Sequence, residues 1–196
     1  MEAKEKIIAD PAAWVDLHGD YLFQYARLRV GEAWVAEDLV QDTFLAALKG
    51  LNSFRGDSEE RTWLTGILKR KIIDYYRKRK MPLSLEQVQG FESSAEFDQR
   101  GQWKPEAAPR EWGASPEQLL EDQQFMAALR FCLKKLPEQI SGVFVLREMD
   151  GLNSKEICKV FGISTSNLWV ILHRARRQLR RCLEQSWLEK DREDNE

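Results

Sequence analysis

The fold of the C-terminal half is decided by residues 155–164, KEICKVFGIS, and by the run at residues 167–181, NLWVILHRARRQLRR. Gly162 supplies the tight turn between two short helices of a helix-turn-helix, and the second, recognition helix is expected to begin near Ser164. Apolar residues spaced by four, three and four positions define its inward face: Leu168, Leu172, Ala175 and Leu179. The sequence therefore predicts a helix-turn-helix with a cationic outer face.

The outer face of this predicted recognition helix combines hydroxyl, amide and guanidinium side chains. Hydroxyls and backbone N–H groups at a helix start suit phosphate binding, and arginines reach phosphates or guanine edges. Residues 164–182 hold five arginines and no acid, which favours DNA binding over the alternative of a solvated cationic face. The candidates for contact with duplex DNA are Ser164, Ser166, Asn167, Val170, Arg174 and Arg177.

A second basic segment lies upstream, at residues 61–80. It holds eight basic residues against one acid, Asp74, together with one tryptophan and two tyrosines. Cations combined with aromatic rings hold single-stranded nucleic acid, by phosphate neutralisation and base stacking. Because Trp63, Ile67 and Ile73 could also form one apolar stripe, core packing and base contact both stay open for each aromatic residue.

An acidic face is expected on the helix that precedes this basic segment. Glu37, Asp38, Gln41 and Asp42 occupy one polar side of the helical pattern around residues 36–44. An acidic face beside two basic segments would repel DNA, so it predicts a docking site for a protein. A merely solvated face is the alternative.

Length and composition favour an all-α chain of two small helical domains. The 196 residues carry 30 basic and 32 acidic side chains, a net charge of -2, so the basic character is local. Periodicity predicts a three- or four-helix domain at 11–81, a linker at 82–114, a four-helix domain at 115–183 and an acidic tail at 184–196. Trp103 and Trp112 lie in the linker, and their spacing leaves loose docking and partner binding both open.

Several other classes of protein are disfavoured. The three cysteines are far apart and in apolar helical patterns, so they are expected to be reduced core residues, and neither a signal peptide nor a membrane span is recognisable, which favours the cytoplasm. No phosphate-binding P-loop occurs. His18 is expected on a helix surface and His173 as a phosphate contact or packed side chain, so neither an enzyme nor a metal or other cofactor is predicted.

Taken together, these motifs resemble those of one family. The runs are AEDLVQDTF (residues 36–44), FRGD (54–57), WL (63–64), IDYYR (73–77), LP (136–137) and VLRE (145–148), followed by the helix-turn-helix. In this order they resemble the extracytoplasmic function (ECF) sigma factors of bacterial RNA polymerase, from about Trp14 to Leu183. The joint occurrence of the motifs is specific, whereas a helix-turn-helix by itself is also found in conventional regulators that bind operators without joining polymerase.

The resemblance implies a non-enzymatic promoter-specificity subunit that contains the second and fourth sigma regions and lacks the third. It implies core RNA polymerase as a partner, through the clamp coiled coil of the largest subunit and through the flap, and an anti-sigma factor that covers these surfaces, without membrane insertion. It also implies binding to promoter DNA, as duplex at the -35 element and as single strand at the -10 element. The residues that the resemblance assigns to the clamp are Asp38, Leu39, Gln41, Asp42 and Phe44.

For the -10 element, the resemblance implies contacts from a loop at about residues 52–61 and from the helix that follows it. A non-template base would be flipped out there, which has a cost of a few kcal/mol that stacking and phosphate contacts offset. The residues concerned are Arg55, Arg61, Trp63, Lys69, Arg70, Tyr75 and Arg77.

The chain departs from the family pattern at two places. Arg70 stands where many relatives carry asparagine, so the -10 sequence cannot be transferred. Trp169, Val170 and Ile171 stand where relatives often carry a lysine and an arginine. We expect Ile171 in the core, while contact with thymine methyl groups, core packing and contact with an inhibitor stay open for Trp169 and Val170.

Overall fold

The structure divides into two compact helical units. It is a computed structural model that describes residues 10–54, 56–79, 104–105 and 123–188. Contacts group the chain into Met1–Arg79 and Lys80–Glu196. Across these described ranges every regular element is a helix, as predicted. The ends of the predicted linker, and Trp103 and Trp112 within it, lie outside the described residues, so its boundaries stay predictions.

The first unit consists of three helices. Helix α1 spans Trp14–Val30, α2 spans Ala33–Lys49 and α3 spans Glu60–Arg79, and a short 3-10 turn at Leu51–Ser53 follows α2. Gly31 ends α1 with a φ of 74°, which glycine adopts without steric cost. The described part of the predicted first domain is therefore a three-helix unit.

The core of the first unit uses only some of the apolar residues that recur at helical spacing in α1 and α2. On α1, the row that faces the other helices is Trp14, Leu22 and Ala26, while Leu17 and Tyr21 are exposed. Leu48 of α2 is exposed too. These three exposed residues fit a helical spacing, but apolar residues surround much of both helices, and the pattern alone did not identify the buried row. The buried side chains of α2 and α3 include Val35, Leu39, Ala47, Leu64, Ile67, Leu68 and Ile72.

A carboxylate at the start of α3 joins this helix to α1. The Glu60 Oε1 atom accepts hydrogen bonds from the Asp10 backbone N–H at 2.9 Å and from the Trp14 indole Nε1 at 3.1 Å. Its Oε2 atom lies 3.4 Å from His18 Nε2. The prediction that His18 is a surface residue is therefore wrong: it is half-buried because it pairs with a carboxylate 42 residues away.

Four helices form the described part of the second unit. Helix α4 spans Gln123–Lys134, α5 spans Glu138–Phe144 and continues as a π-helical turn, α6 spans Ser154–Phe161, and α7 spans Thr165–Leu183. The helix start predicted at residues 115–117 lies outside the described residues. Helix α7 has 19 residues, so the prediction of two short helices around the turn holds only for α6.

The core of the second unit confirms the predicted inward face of the recognition helix. Ile171 is also buried, as expected. In the part of the chain that the structure describes, no helix combines the length and apolar character that a membrane span needs. The buried residues on α7 are Leu168, Ile171, Leu172, Ala175, Leu179, Cys182 and Leu183.

Two of the three cysteines are joined, so the prediction that all are reduced is wrong. Cys132 of α4 forms a disulfide with Cys182 of α7, and their Cα atoms are 5.7 Å apart. Both side chains are buried, and Cys158 of α6 keeps a free thiol. The pairing was hidden because 50 residues separate the two cysteines and only the packing of α4 against the end of α7 brings them together. The bond ties the first described helix of this unit to its last.

Candidate nucleic-acid and protein interfaces

The turn between α6 and α7 is fixed by local hydrogen bonds. Asn153 caps α6: its side-chain oxygen accepts from the Glu156 N–H at 3.0 Å, while its own N–H donates to the Glu156 carboxylate at 2.9 Å. Gly162 has a φ of 66° and ends α6, and Ser164 caps α7 by accepting from the Asn167 N–H at 3.2 Å. The predicted start of the recognition helix is therefore confirmed. The cap residues satisfy N–H groups that would otherwise lack a partner within each helix.

The sequence-predicted -35 residues lie together on α7. Ser164 and Ser166 are exposed and their hydroxyls are 2.9 Å apart, whereas Asn167 is half-buried. Further along, Val170, Arg174 and Arg177 are half-buried and follow one another at intervals of four and three residues. That spacing places them in one row on the helix surface, away from the buried stripe. The surface combines polar groups at the helix start with guanidinium groups about two to four turns later.

Two of the other arginines of α7 are engaged within the unit. Arg176 Nη2 lies 2.8 Å from Glu148 Oε1 on the turn after α5, and Arg180 Nε lies 3.0 Å from Glu184 Oε1. The first pair braces α7 against the turn after α5, whereas the second is local to the end of α7. The absence of acids within residues 164–182 concealed them, because both carboxylates lie outside that run.

The three apolar departures in the recognition helix have different surroundings. Ile171 is 1% exposed, Val170 is half-buried, and Trp169 is 41% exposed. His173 lies one turn beyond Trp169, and burial, followed by the charge of Arg176, lowers the pKa of its imidazole below the usual value. Core packing is thus confirmed for Ile171 and does not account for Trp169.

The -10 candidates are distributed over α3. Lys69, Arg70 and Arg77 are exposed, and Arg77 forms an exposed ion pair with Asp74 at 2.9 Å. Arg61 is exposed near the start of the helix. Residue Arg55 lies outside the described residues. The described cations form a basic surface that solvent or a nucleic acid can reach.

The aromatic -10 candidates are anchored within the unit. The Trp63 ring lies 4.8 Å from Phe54 and 5.8 Å from Trp14 between centroids, so it is half-buried in an aromatic cluster. Tyr75 packs edge-on against Tyr76, with 5.2 Å between the ring centroids. Because Tyr75 follows Lys71 by four residues, these two side chains share one side of α3. Both rings are half-buried, so each packs within the unit and keeps part of its surface accessible to solvent.

A row of cations and tyrosines between α1 and α3 escaped prediction from the sequence. The Tyr21 and Tyr25 rings are 6.3 Å apart, with Arg61 5.2 Å from the first and Lys69 5.9 Å from the second. The guanidinium of Arg29 covers the Tyr25 ring at 3.2 Å. These contacts place part of the cationic charge of α3 over aromatic faces, an attractive arrangement. Only the four-residue spacing of the two tyrosines hinted at it.

The acidic face predicted on α2 is present, and the residues predicted to contact the clamp differ in exposure. Asp38, Gln41 and Asp42 are exposed and Phe44 is half-buried, but Leu39 is only 7% exposed and belongs to the core. Leu39 was predicted as a polymerase contact; its side chain is buried in the free unit, and the contact stays a prediction. Asp42 Oδ2 also lies 3.3 Å from Lys71 Nζ of α3.

Exposed apolar residues that were not predicted as contacts complete this face. Trp34, Leu45 and Leu48 are exposed, by 67%, 56% and 48% of their surface. With Asp38 and Gln41 they follow intervals of four, three, four and three residues, which is one continuous stripe of a helix. We call these five residues the α2 stripe. Read at that interval, the sequence already contained the signal.

Comparisons with known proteins agree with this arrangement. The model for sigma-70 region 2 matches residues 14–81, and the model for sigma-70 region 4 matches residues 126–179. A probable RNA polymerase sigma factor of Haemophilus influenzae is 40% identical over 83% of this chain and 84% of its own length. RNA polymerase sigma factor YlaC of Bacillus subtilis is 34% identical, with 87% and 92% covered, and the ECF RNA polymerase sigma factor SigW of that organism is 28% identical, with 86% of both covered. The chain therefore belongs to the ECF group of the sigma-70 family of RNA polymerase sigma factors.

Proposed function

We propose that this sigma factor binds core RNA polymerase through α2, opens the -10 element through α3 and reads the -35 element through α7. The observation that carries the proposal is that one chain exposes three chemically different surfaces, on α2, α3 and α7. The first two surfaces lie in region 2 and the third lies in region 4. The polymerase performs the chemistry, and the chain supplies promoter recognition. Because both proposed partners, polymerase and promoter, are in the bacterial cytoplasm, we propose that the protein acts there.

The α2 stripe supports docking on a protein. Large apolar side chains flanked by carboxylates bury apolar area in a complex while their charges fix orientation and speed encounter. Trp34 is the most exposed of them and is the type of residue that dominates binding energy when it is buried at an interface. Asp38 and Asp42 would face basic side chains of the polymerase clamp.

The surface of α3 supports single-strand binding. Lys69, Arg70 and Arg77 are exposed cations, and the rings of Trp63 and Tyr75 are held by neighbouring aromatic residues while remaining partly accessible. Rings that are already ordered lose little conformational entropy when a base stacks on them. Phosphate neutralisation and stacking would together offset the unstacking of a -10 base.

The α2 stripe also fits an inhibitor. A free sigma factor exposes Trp34, Leu45 and Leu48 whenever it is not bound to polymerase. An anti-sigma factor that covers the stripe would compete directly with the core enzyme, and region 4 would bind the polymerase flap in the active complex. These partners are proposed from the family and from the exposed apolar area.

Run-off transcription tests the proposed function. Fragmented genomic DNA from the source bacterium is transcribed by bacterial core polymerase with and without the full-length protein. We expect discrete new start sites that depend on the protein and that share two upstream sequence elements. Absence of new transcripts together with absence of core binding would refute the proposal.

A residue-level test addresses the docking surface. Reversal of Asp38 and Asp42 to lysine should weaken core binding, and Asp38→Lys alone is measured as well because Asp42 also pairs with Lys71. The matched control is reversal of Asp16 and Asp20, two exposed acids on α1 with the same four-residue spacing. Circular dichroism establishes that each variant is folded. Equal core binding by both double variants would contradict the assignment of α2.

A further inference from the structure

Trp169 is a large apolar side chain that the core of the second unit does not use. Its neighbours Leu168, Ile171 and Leu172 are all at most 1% exposed, whereas Trp169 keeps 41% of its surface exposed. Trp169 itself is exposed on the second turn of α7, in the part of a recognition helix that contacts base edges. In the free protein, the exposed part of the indole lacks the favourable free energy of apolar burial. A bound partner that covers the indole supplies that free energy.

We propose that Trp169 is a specificity-determining residue that contacts the C5-methyl group of thymine in the major groove of the -35 element. The inference rests on the proposed function and deepens it, because it names the base that this helix would read. Among the four bases of DNA, thymine alone presents a methyl group in that groove, and apolar side chains recognise it by contact.

The chemistry of the first two turns of α7 supports thymine rather than guanine. Residues 165–171, TSNLWVI, contain no lysine or arginine, and the first guanidinium group of the helix is that of Arg174. Bidentate recognition of guanine requires such a cation, whereas an asparagine amide suits adenine and an apolar side chain suits the thymine methyl. The first two turns of α7 therefore offer an amide suited to adenine and an apolar ring suited to a thymine methyl, on different sides of the helix, and no cation suited to guanine.

The side chains around Trp169 hold no charge that would compete for phosphates. His173 lies four residues later on the same side, and its lowered pKa keeps the imidazole neutral near pH 7. Arg176, seven residues after Trp169, is neutralised by Glu148 at 2.8 Å. Phosphate neutralisation is thus left to the adjacent row with Arg174 and Arg177, and the Trp169 side of the helix is suited to apolar contact.

Replacement of thymine by uracil tests the proposal, because uracil lacks only the methyl group. Run-off transcription identifies the promoter sequences, and duplexes of these sequences are synthesised with uracil in place of thymine at one -35 position at a time. Binding of these duplexes is measured with holoenzyme made from core polymerase and the full-length protein. For the wild-type protein we expect a loss of affinity of about fourfold at one or two positions, the value for one buried methyl-sized group. In Trp169→Ala the same substitutions should have no effect.

Three controls separate this contact from other causes. Val170→Ala and Arg174→Gln should keep the uracil effect of the wild-type protein, and Trp169→Leu, which retains an apolar side chain, should keep part of it. The dependence of affinity on salt should be the same in Trp169→Ala and wild type, because no phosphate contact is removed. Equal thermal unfolding of the variants excludes a loss of fold.

An identical uracil profile for wild type and Trp169→Ala would overturn the inference, as would loss of the profile in Val170→Ala alone. The proposed function has a separate readout, which is the effect of Arg174→Gln on promoter affinity and on the salt dependence of that affinity. If Arg174→Gln lowers both, while Trp169→Ala changes neither the response to uracil nor the affinity, the proposed function stands and the inference about Trp169 fails. Absence of promoter binding by the wild-type holoenzyme would refute both.

Discussion

Reduction of the Cys132–Cys182 disulfide should destabilise the second unit and leave the first unit unchanged. The bond joins residues separated by 50 positions, so it restricts a long loop of the unfolded chain. In the chain-entropy model, closing a loop of this size contributes about 4 kcal/mol to the free energy of unfolding. A small domain has a total stability on the order of 5–15 kcal/mol, so the loss should be large. All three cysteines lie beyond residue 130, and the first unit is therefore an internal control.

The assay compares urea unfolding of oxidised protein with protein that was reduced in urea and refolded in the presence of a reductant. With a denaturant slope of about 1.5 kcal/mol per molar urea, the transition of the second unit should move down by roughly 2 to 3 M. Because contacts divide the chain into two compact units, we expect one transition for each unit, and each is analysed by itself. The matched control is Cys158→Ala, which lacks the free thiol of α6 and should keep the full difference between oxidised and reduced forms.

Two results would refute this reasoning. Alkylation of the unfolded, unreduced protein should modify one cysteine, and modification of all three would mean that the bond does not form. If the bond does form but oxidised and reduced proteins unfold at the same urea concentration, loop restriction contributes nothing and the buried thiols pack as well as the disulfide.

Three further changes have defined outcomes. Replacement of Arg174 and Arg177 by glutamine should make the plot of log affinity against log salt shallower by about 0.9 for each phosphate that is no longer neutralised. Arg180→Gln, at a guanidinium that is paired with Glu184, should leave the slope unchanged. Burial and a neighbouring guanidinium lower the pKa of His173, so the unfolded chain binds that proton more readily than the folded chain. The free energy of unfolding should therefore fall as the pH drops below the usual value near 6.5. In urea titrations at several pH values, His173→Gln should lack this part of the decline. Glu60→Ala leaves a buried indole N–H without its acceptor and should destabilise the first unit by about 1–3 kcal/mol in urea unfolding, whereas an unchanged stability would mean that water replaces the carboxylate.

The elements that the sequence predicted correctly are those determined by local pattern. The inward stripe of α7 from Leu168 to Leu179 follows from its spacing, and the limits of the turn follow from Gly162 and Ser164. In each case the deciding interaction lies within a few residues, where helical periodicity and capping act. On α2, by contrast, Leu39 is buried and Leu48 is exposed, because apolar residues occupy both sides of this helix and only packing against α1 and α3 decides which side is inside.

Contacts across long stretches of chain account for most of what could not be predicted. The disulfide from Cys132 and the pairing of His18 with Glu60 each join helices that are far apart in sequence. The rings of Trp63 and Tyr75 illustrate a different limit, since a half-buried aromatic residue is neither purely core nor purely surface. The sequence pattern left open whether such a residue packs in the core or contacts a base. In the folded unit the two roles are compatible, because one edge of the ring packs and another stays accessible.

Charge counting along the sequence also overestimates the surface that is available for DNA. Of the five arginines between residues 164 and 182, Arg176 and Arg180 form ion pairs with Glu148 and Glu184, so two carboxylates offset part of this basic charge. On α3, Lys71 is likewise held by Asp42. These internal pairs orient α7 and connect the basic helix to the acidic one, and they lower the non-specific attraction to any DNA. A recognition helix with fewer phosphate contacts depends more on its base contacts for affinity, which makes neutral groups at its start, such as Asn167 and Trp169, the natural carriers of promoter selectivity.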